Sequence, residues 1–502
     1  MENKALELPK TWAAVNLGDF VENDKGKKPK NESKTQTAVH KLPYVDIQTF
    51  EENIVRTWTD GVGCRLCSET DFLMVWDGSR SGLVGKGVNG ALGSTLVRIN
   101  FPSMVNDYAY YFLQSKYQQI NTRAKGSGTP HVDPDLLWNY KFPIPPLAEQ
   151  HRIVAKIEEL FSELDKGVES LKTAHAQLKV YRQALLKHAF EGKLTAEWRE
   201  QNKDKLESAV TLQQRIQTER AARYQQQVTN WQAAGQKGSK PKAPKPLPPL
   251  TNEELAELPE LADSWTWVKF GQVFDIYVGS TPSRKREDYW NGNIAWVSSG
   301  EVAFCKIKDT KEKITKSGYA SASTEIHPVG TILLAMIGEG KTRGQPAILD
   351  IEACHNQNTA AIRVVDTGFP SEYLYQYLAY QYEITRRIGS GNNQKALNKA
   401  RVSDMTIPLC NTSEMLEIVT LIDENLSIAT QLDQTIITAL HQSEALRQSI
   451  LKKAFSGTLV EQDSNDEPAS VLLARIKTEK AALVPSKKSK PVKTKRSLKV
   501  NP

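Results

Sequence analysis

The chain has 502 residues, 39% of them hydrophobic, with five scattered cysteines. That suits three or four domains of ~150 residues with real cores in a reducing compartment, and argues against a disulfide scaffold. The opening MENKALELPKTW has no apolar leader, and nothing approaches the ~18 apolar residues that cross a bilayer, so a cytoplasmic protein is expected. The formal charge of +7 equals the seven Lys and Arg of residues 486–502, which hold no acid, so the rest of the chain is formally neutral and total charge marks no polyanion-binding body.

From the N-terminus, β-like runs such as DFLMVW (71–76) and STLVRI (94–99) alternate with Gly-rich turns, which predicts an α+β globule over 1–146. Its polar residues gather in loops. Lys25, Lys27, Lys28 and Lys30 follow the first strand, Ser79 and Arg80 lie in DGSRSG (77–82), and Arg123, Lys125, Ser127, Thr129 and His131 lie in RAKGSGTPH (123–131). Guanidinium forks match the two acceptors of guanine and ammonium groups suit phosphates, so these loops are candidate DNA contacts. Ordinary solvated loops or hairpin turns are the plainer alternative.

Residues 147–195 predict a long helix. Ile157, Leu164, Leu171, Leu178 and Leu185 recur every seven residues, with Ile153, Leu160, Gly167, Ala174 and Tyr181 four positions before each. From Ile153 to Ala189 such a helix is a rod of about 55 Å. Residues 196–262 form a linker: 203–234 read as a Gln-rich helix and QKGSKPKAPKPLPPL (236–250) as an extended tether.

A second globule is expected over 263–408, with strands TILLAMI (331–337) and AAIRVV (360–365). Its loops carry Thr281, Ser283, Arg284, Lys285 and Arg286, then Lys341, Thr342 and Arg343 in GEGKTRG (338–344), then Arg387, Ser390, Asn392, Asn393, Gln394 and Lys395 in RIGSGNNQK (387–395). Amide side chains suit bidentate pairing with adenine. Residues 409–460 predict a second long helix, with Ile422, Ala429, Ile436, Ser443 and Ile450 interleaved with Ile418, Asn425, Leu432, Ala439 and Leu446. A short helix and a basic tail fill 461–502. The expected core of a helix pair is Ile157, Leu160, Leu164, Leu171, Leu178 and Leu185 against Ile422, Leu432, Ile436, Leu446 and Ile450.

The two halves repeat each other. RQALLKHAFEGKL (182–194) and RQSILKKAFSGTL (447–459) agree at eight of thirteen positions, against roughly 6% per position by chance. RIQTERAA (215–222) returns as RIKTEKAA (475–482), and WAAVNLG (12–18) as WTWVKFG (265–271). This is a pseudo-dimer in one chain, whose two-fold relation would run the helices antiparallel.

Catalytic motifs fail on inspection. Arg80 occupies the position where a G-x-S-x-G elbow needs serine, and the first glycine of a P-loop falls on Ala335 in AMIGEGKT. Cys64 and Cys67 form a lone CxxC, and Cys354-His355 stands alone. No catalytic, metal or cofactor site is expected.

IPPLAEQHRIVAKIEELFSELD (144–165), ALLKHAFEGKLT (184–195) and GSTPSRKREDYWNGNIAWVSSGEV (279–302) resemble the specificity subunits of type I restriction-modification systems, over residues 8 to 482. The second copy departs from the first mark, since IPLCNTSEMLEIV (407–419) lacks Pro-Leu-x-Glu-Gln. The resemblance implies two tandem target recognition domains separated by two long antiparallel coiled-coil helices, each domain reading half of a bipartite, asymmetric site in double-stranded DNA. It implies a non-catalytic subunit that docks two methyltransferase subunits, which bring S-adenosylmethionine, and two restriction subunits, which bring ATP and Mg, with no membrane partner. The competing class is a coiled-coil scaffold or an orphan DNA-binding module.

Overall fold

The computed structural model describes residues 8–126, 128–236, 240–241, 243–244, 246–338, 340–387 and 397–483. The chain forms two compact units, Met1–Lys172 with Ile437–Pro502, and Thr173–Ile436. The sequence suggests boundaries at the ends of the long helices; the units instead divide both helices near their middles.

In the first unit, Ala13–Asn16 pairs antiparallel with Lys141–Ile144 and closes the base of the globule. The central sheet runs in the order Glu22–Lys25, Leu96–Asn100, Phe72–Val75, Val84–Lys86. Phe72–Val75 is buried at every position, which explains its unbroken apolar run, whereas Leu96–Asn100 sets Arg98 among buried neighbours at a half-exposed position. A second sheet, of five short strands, has Leu42–Val45 running parallel to Gly90–Leu92.

The second unit repeats this plan. Thr266–Lys269 pairs with Thr406–Leu409, and the central sheet runs Asp275–Val278, Thr359–Arg363, Ile332–Ala335, Pro346–Leu349, Cys305–Ile307. Trp290–Val297 runs parallel to Cys354–His355 in a three-stranded sheet, as Leu42–Val45 runs parallel to Gly90–Leu92 in the first unit. The repeated strings WAAVNLG/WTWVKFG, and likewise LPYVDI (42–47) and IAWVSS (294–299), therefore mark equivalent strands.

The long helices are Leu147–Phe190 and Thr412–Phe455, 44 residues each, or about 66 Å. Each ends on the unit that holds the other copy's globule. In the first unit Phe455 packs against Tyr108 and Phe112 at ring distances of 5.2 and 5.3 Å, and in the second Phe190 packs against Tyr373 and Tyr377 at 5.5 and 5.1 Å. Tyr108 and Tyr373 are equivalent: each hydroxyl donates to the carbonyl of a proline, Pro143 or Pro408, at 2.9 Å. Past each helix end the chain turns at a left-handed glycine, Gly192 (φ 76°) or Gly457 (φ 72°). A Cβ on Gly457 would sit 2.4 Å from Pro9 Cγ, so glycine is required there by space as well as by φ. The following helices Ala209–Ala233 and Ala469–Leu483 continue the exchange, burying Leu212 and Ile216 in the second unit and Leu472 and Ile476 in the first.

A buried carboxylate fastens each start. Glu149 accepts from Trp12 Nε1 at 2.9 Å and from Gln462 in the first unit. Glu414 accepts from Trp265 Nε1 at 3.1 Å, Thr195 Oγ1 at 2.7 Å and Arg199 Nε at 2.8 Å in the second. The second copy thus lacks the Pro-Leu-x-Glu-Gln string yet keeps its glutamate in the same role.

In the second unit the helices run antiparallel, since His175 pairs with Asp433 at 3.0 Å while Tyr181 donates to Asn425 at 2.9 Å. In the first, Arg447 pairs with Asp165 and lies 4.2 Å over the Phe161 ring. The seven-residue lines hold: Ile157, Leu178, Leu185, Ile422 and Ile450 are buried, and Leu164, Leu171 and Ile436 half-buried. The companion lines hold at Ile153 and Ile418, which are buried, and need correction elsewhere. Leu160 is half-buried, but Leu432 and Leu446 are each 51% exposed, and Tyr181 and Gly167 are also exposed. The inward companions lie one residue further on, at Phe161, Arg182, Asp433 and Arg447. Both choices satisfy a heptad; which flank of the seam is covered depends on where the partner helix passes.

Glu414→Ala strands the Arg199 guanidinium and the Trp265 indole, and should lower the unfolding free energy of the second unit by about 3 kcal/mol in denaturant titration, with Glu149→Ala doing the same in the first. A pH effect is also expected. His327 and His355 are fully buried, with ring centroids 5.1 Å apart, and burial pushes their imidazoles down to about 3 and about 4. Below the ordinary value near 6.5 the unfolded chain takes up protons that the folded one refuses. Stability should therefore be complete above pH ~6.5 and fall as pH drops toward 4, and His327→Phe should flatten that limb of a melting-temperature profile.

Candidate nucleic-acid interface

Three loops of the first unit meet beyond the ends of its central strands. Lys25 ends its strand and pairs with Asp77 at 2.8 Å, at the head of the DGSRSG loop. Gly78 donates to Pro130 O at 2.8 Å, and Asp77 and Lys125 each bridge His131, which joins that loop to 123–131. Asn121 donates to Ser79 O and Ser81 O at 2.9 and 3.0 Å. Gly26 makes the first turn possible, since a Cβ there would fall 2.1 Å from Gly93 O.

The charges are organised rather than free. Arg80 pairs with Glu51, Lys125 with Asp133 at 2.9 Å, and Lys28 with Glu32 at 3.8 Å. Burial raises the Glu51 carboxyl, partly offset by Arg80, while Lys125 holds Asp133 below the usual carboxylate range. Lys27, Lys30, Arg123 and Thr129 are exposed, Ser79 is exposed, and Lys27, Lys30 and Arg123 form no ion pair among the described residues.

The second unit begins its first two candidate loops after the equivalent strands, Asp275–Val278 and Ile332–Ala335. Gly279 follows Asp275–Val278 as Gly26 follows Glu22–Lys25, and its Cβ would meet His355 O at 1.9 Å. Thr281 then donates to Gln357 Oε1 at 2.6 Å. Arg284 pairs bidentately with Glu312 and stacks 3.8 Å over Trp290 and 5.2 Å from Trp296. Arg286 makes two 2.8 Å bonds to Asp288 and lies 4.7 Å over Tyr289. The two arginines hold Glu312 and Asp288 below the usual carboxylate range. Ser283 and Lys285, on either side of Arg284, are exposed.

Arg343, read from the sequence as a base-reading candidate, is half-buried and donates to Arg386 O at 2.7 Å, so it braces its loop against the helix Tyr382–Arg387. Tyr382 Oη donates to Lys341 O at 2.5 Å and adds to that brace. Lys341 is exposed and Thr342 half-buried beside it. Ser127, Ser390, Asn392, Asn393, Gln394 and Lys395 lie outside the described residues, and of Arg387 only its place at that helix end is described.

Sequence reading missed Arg65 and Arg98, which converge on Asp24 at 2.7 and 2.6 Å beside Lys25. Arg98 carries a signal, a charge inside the strand pattern STLVRI; Arg65 carries none. Gln357, in HNQN, was also missed, and only the close passage of Gly279 over His355 brings it to Thr281. No cluster of three or more His, Cys, Asp or Glu is arranged to hold a metal among the described residues, and none of their helices is long and apolar enough to cross a membrane. The arrangement offers fork donors, amides, ammonium groups and carboxylates at glycine-turned loops, which suits polyanion and base-edge recognition.

Comparison with known proteins identifies the plan. The family model for the type I restriction modification DNA specificity domain matches residues 9–172 and 262–442, most of the chain. The specificity subunit of the EcoDI restriction enzyme of Escherichia coli is 23% identical over 95% of this chain and 97% of its own length. The MjaVIII specificity subunit of Methanocaldococcus jannaschii is 30% identical over 37% of this chain and 46% of its own. Among solved structures, a chain of a type I R-M system superposes with a TM-score of 0.59 at 18% identity, covering 90% of this chain and all of that one. The HsdS subunit of Thermoanaerobacter tengcongensis gives 0.51 at 18% identity, over 91% of this chain and all of its own; such likeness speaks to the fold. The chain belongs to the type I restriction modification DNA specificity family, and is a specificity subunit, the non-catalytic DNA-recognition component of its system.

Proposed function

We propose that this chain reads a bipartite, asymmetric site in double-stranded DNA, one half-site through the loops of each unit, with the helix pair setting the unspecified gap between them. The observation that carries the reading is that the candidate loops leave equivalent strands of one shared four-strand order in both units: Lys27 and Thr281 follow Glu22–Lys25 and Asp275–Val278 past the close-passing glycines 26 and 279, and Arg80 and Arg343 follow Phe72–Val75 and Ile332–Ala335. The loops differ in sequence while the framework repeats, so the half-sites differ. Its partners are two methyltransferase subunits, which supply S-adenosylmethionine, and two restriction subunits, which supply ATP and Mg. The complex acts on intracellular DNA in the cytoplasm.

The direct test is single-molecule sequencing of the source cell's DNA with and without the gene, scoring methylated adenines. A split motif of constant gap that vanishes on deletion supports the reading; an unchanged pattern from an active system overturns it. Removing residues 165–171 and 441–447, antiparallel stretches that the Asp165–Arg447 pair brings opposite each other in the first unit, shortens the rod by about 10 Å, or roughly three base steps. The gap in the methylated motif should shorten while both half-sites persist. In a binding-site selection, Arg80→Ala should relax one half-site at a cost of about 1–3 kcal/mol and leave the other intact.

A further inference from the structure

Four of the described loop cations, two on the first unit's loops, one at its strand end and one in the second unit, share one geometry. The positive head faces solvent and a less exposed carboxylate sits against it: Arg80 is 54% exposed over Glu51 at 11%, Lys125 57% over Asp133 at 14%, Lys25 48% over Asp77 at 27%, and Arg284 54% over Glu312 at 37%. Each carboxylate reaches its cation from a different stretch of chain, so none of these pairs is an accident of adjacent residues. Glu312 stands on Glu312–Ile314 while Arg284 lies in the 279–290 loop; Glu51 closes the short helix Ile47–Glu52 below Arg80.

We propose that these carboxylates are positioning residues that set how selectively the loops bind DNA: they aim each cation and cancel its charge toward duplexes of the wrong sequence. The proposal rests on the DNA-reading function above. A phosphate that takes over Arg284 or Lys25 must approach Glu312 or Asp77, so a contact made to backbone alone gains one attraction and meets one repulsion. A matching base edge changes that balance. The carboxylate accepts from a cytosine exocyclic amine in the major groove while the freed guanidinium bonds guanine or phosphate, and both partners stay satisfied. Discrimination then comes from the pair rather than from the cation.

The neutral body of the chain fits this role. Loops with bare lysines and arginines would bind any duplex through counterion release, which gains affinity without sequence preference. Trp290 and Trp296 hold the flat face of Arg284 while Glu312 holds its edge, so the guanidinium has one direction in which to present its remaining donors.

The test uses the full chain carrying Glu312→Gln, Asp77→Asn or both, with Glu312→Asp as the charge-keeping control. Binding is measured across a salt series to labelled duplexes with and without the methylated motif. Each neutralised carboxylate should tighten binding to the motif-free duplex about fivefold at physiological salt and steepen the log–log salt slope by about 0.9. The ratio of motif to motif-free affinity should fall, and Glu312→Asp should restore it. Unchanged motif-free affinity and slope would overturn the proposal, as would an equal loss on both duplexes with no change of slope, which marks a structural role. If the unaltered chain shows no salt-dependent duplex binding, the DNA-reading function itself fails, and the proposal with it.

Discussion

Neither globule closes its core with its own copy alone. The first unit buries Ile450, Leu451 and Ala454 from the end of the second long helix among Tyr108, Phe112 and Phe142; the second buries Ala189 and Phe190 among Tyr373, Tyr377 and Leu378. Burying one such side chain contributes about 1.5–3 kcal/mol. The aromatic contacts, the left-handed glycine and the buried carboxylate all serve that exchange. It explains why the duplicated text is densest at the helix ends: the same surface has to be met twice.

The exchange leaves the sheets free to vary at their far edges. Four central strands follow the same order in both units, the second adding Cys305–Ile307 at one edge, and the first two candidate loops of each emerge after equivalent strands. Glycines 26 and 279 let the chain cross a neighbouring backbone at distances no Cβ tolerates, which fixes where each first loop starts while leaving its sequence open. Framework and reader are thus separated physically, and a rigid scaffold can present unlike loops.

Charge follows the same division. Along the helix seam the inward companions other than Phe161 are charged, Asp433 with His175 and Arg182 in one unit and Arg447 with Asp165 in the other. Such pairs add little stability where they are exposed, but they cannot be satisfied out of register. At the loops, pairing gives direction to side chains that would otherwise sample many rotamers.

The duplication, the α+β globules, the long helices and the family were legible in the sequence, because each rests on local pattern: strand runs, a seven-residue repeat and recurring strings. The loops were legible as places, and Lys25, Asp77 and His131 do meet. What the sequence did not contain was which side chains face which. Leu432 and Leu446 satisfy a heptad as well as Asp433 and Arg447 do, and only the path of the partner helix decides between them. Arg343 looked like a free reader until the Arg386 carbonyl came within reach, and Arg65, Arg98 and Gln357 gained their places through contacts tens of residues away. Periodicity records a residue's own element; the partner that covers it, aims it or neutralises it belongs to another element, and tertiary packing alone brings the two together.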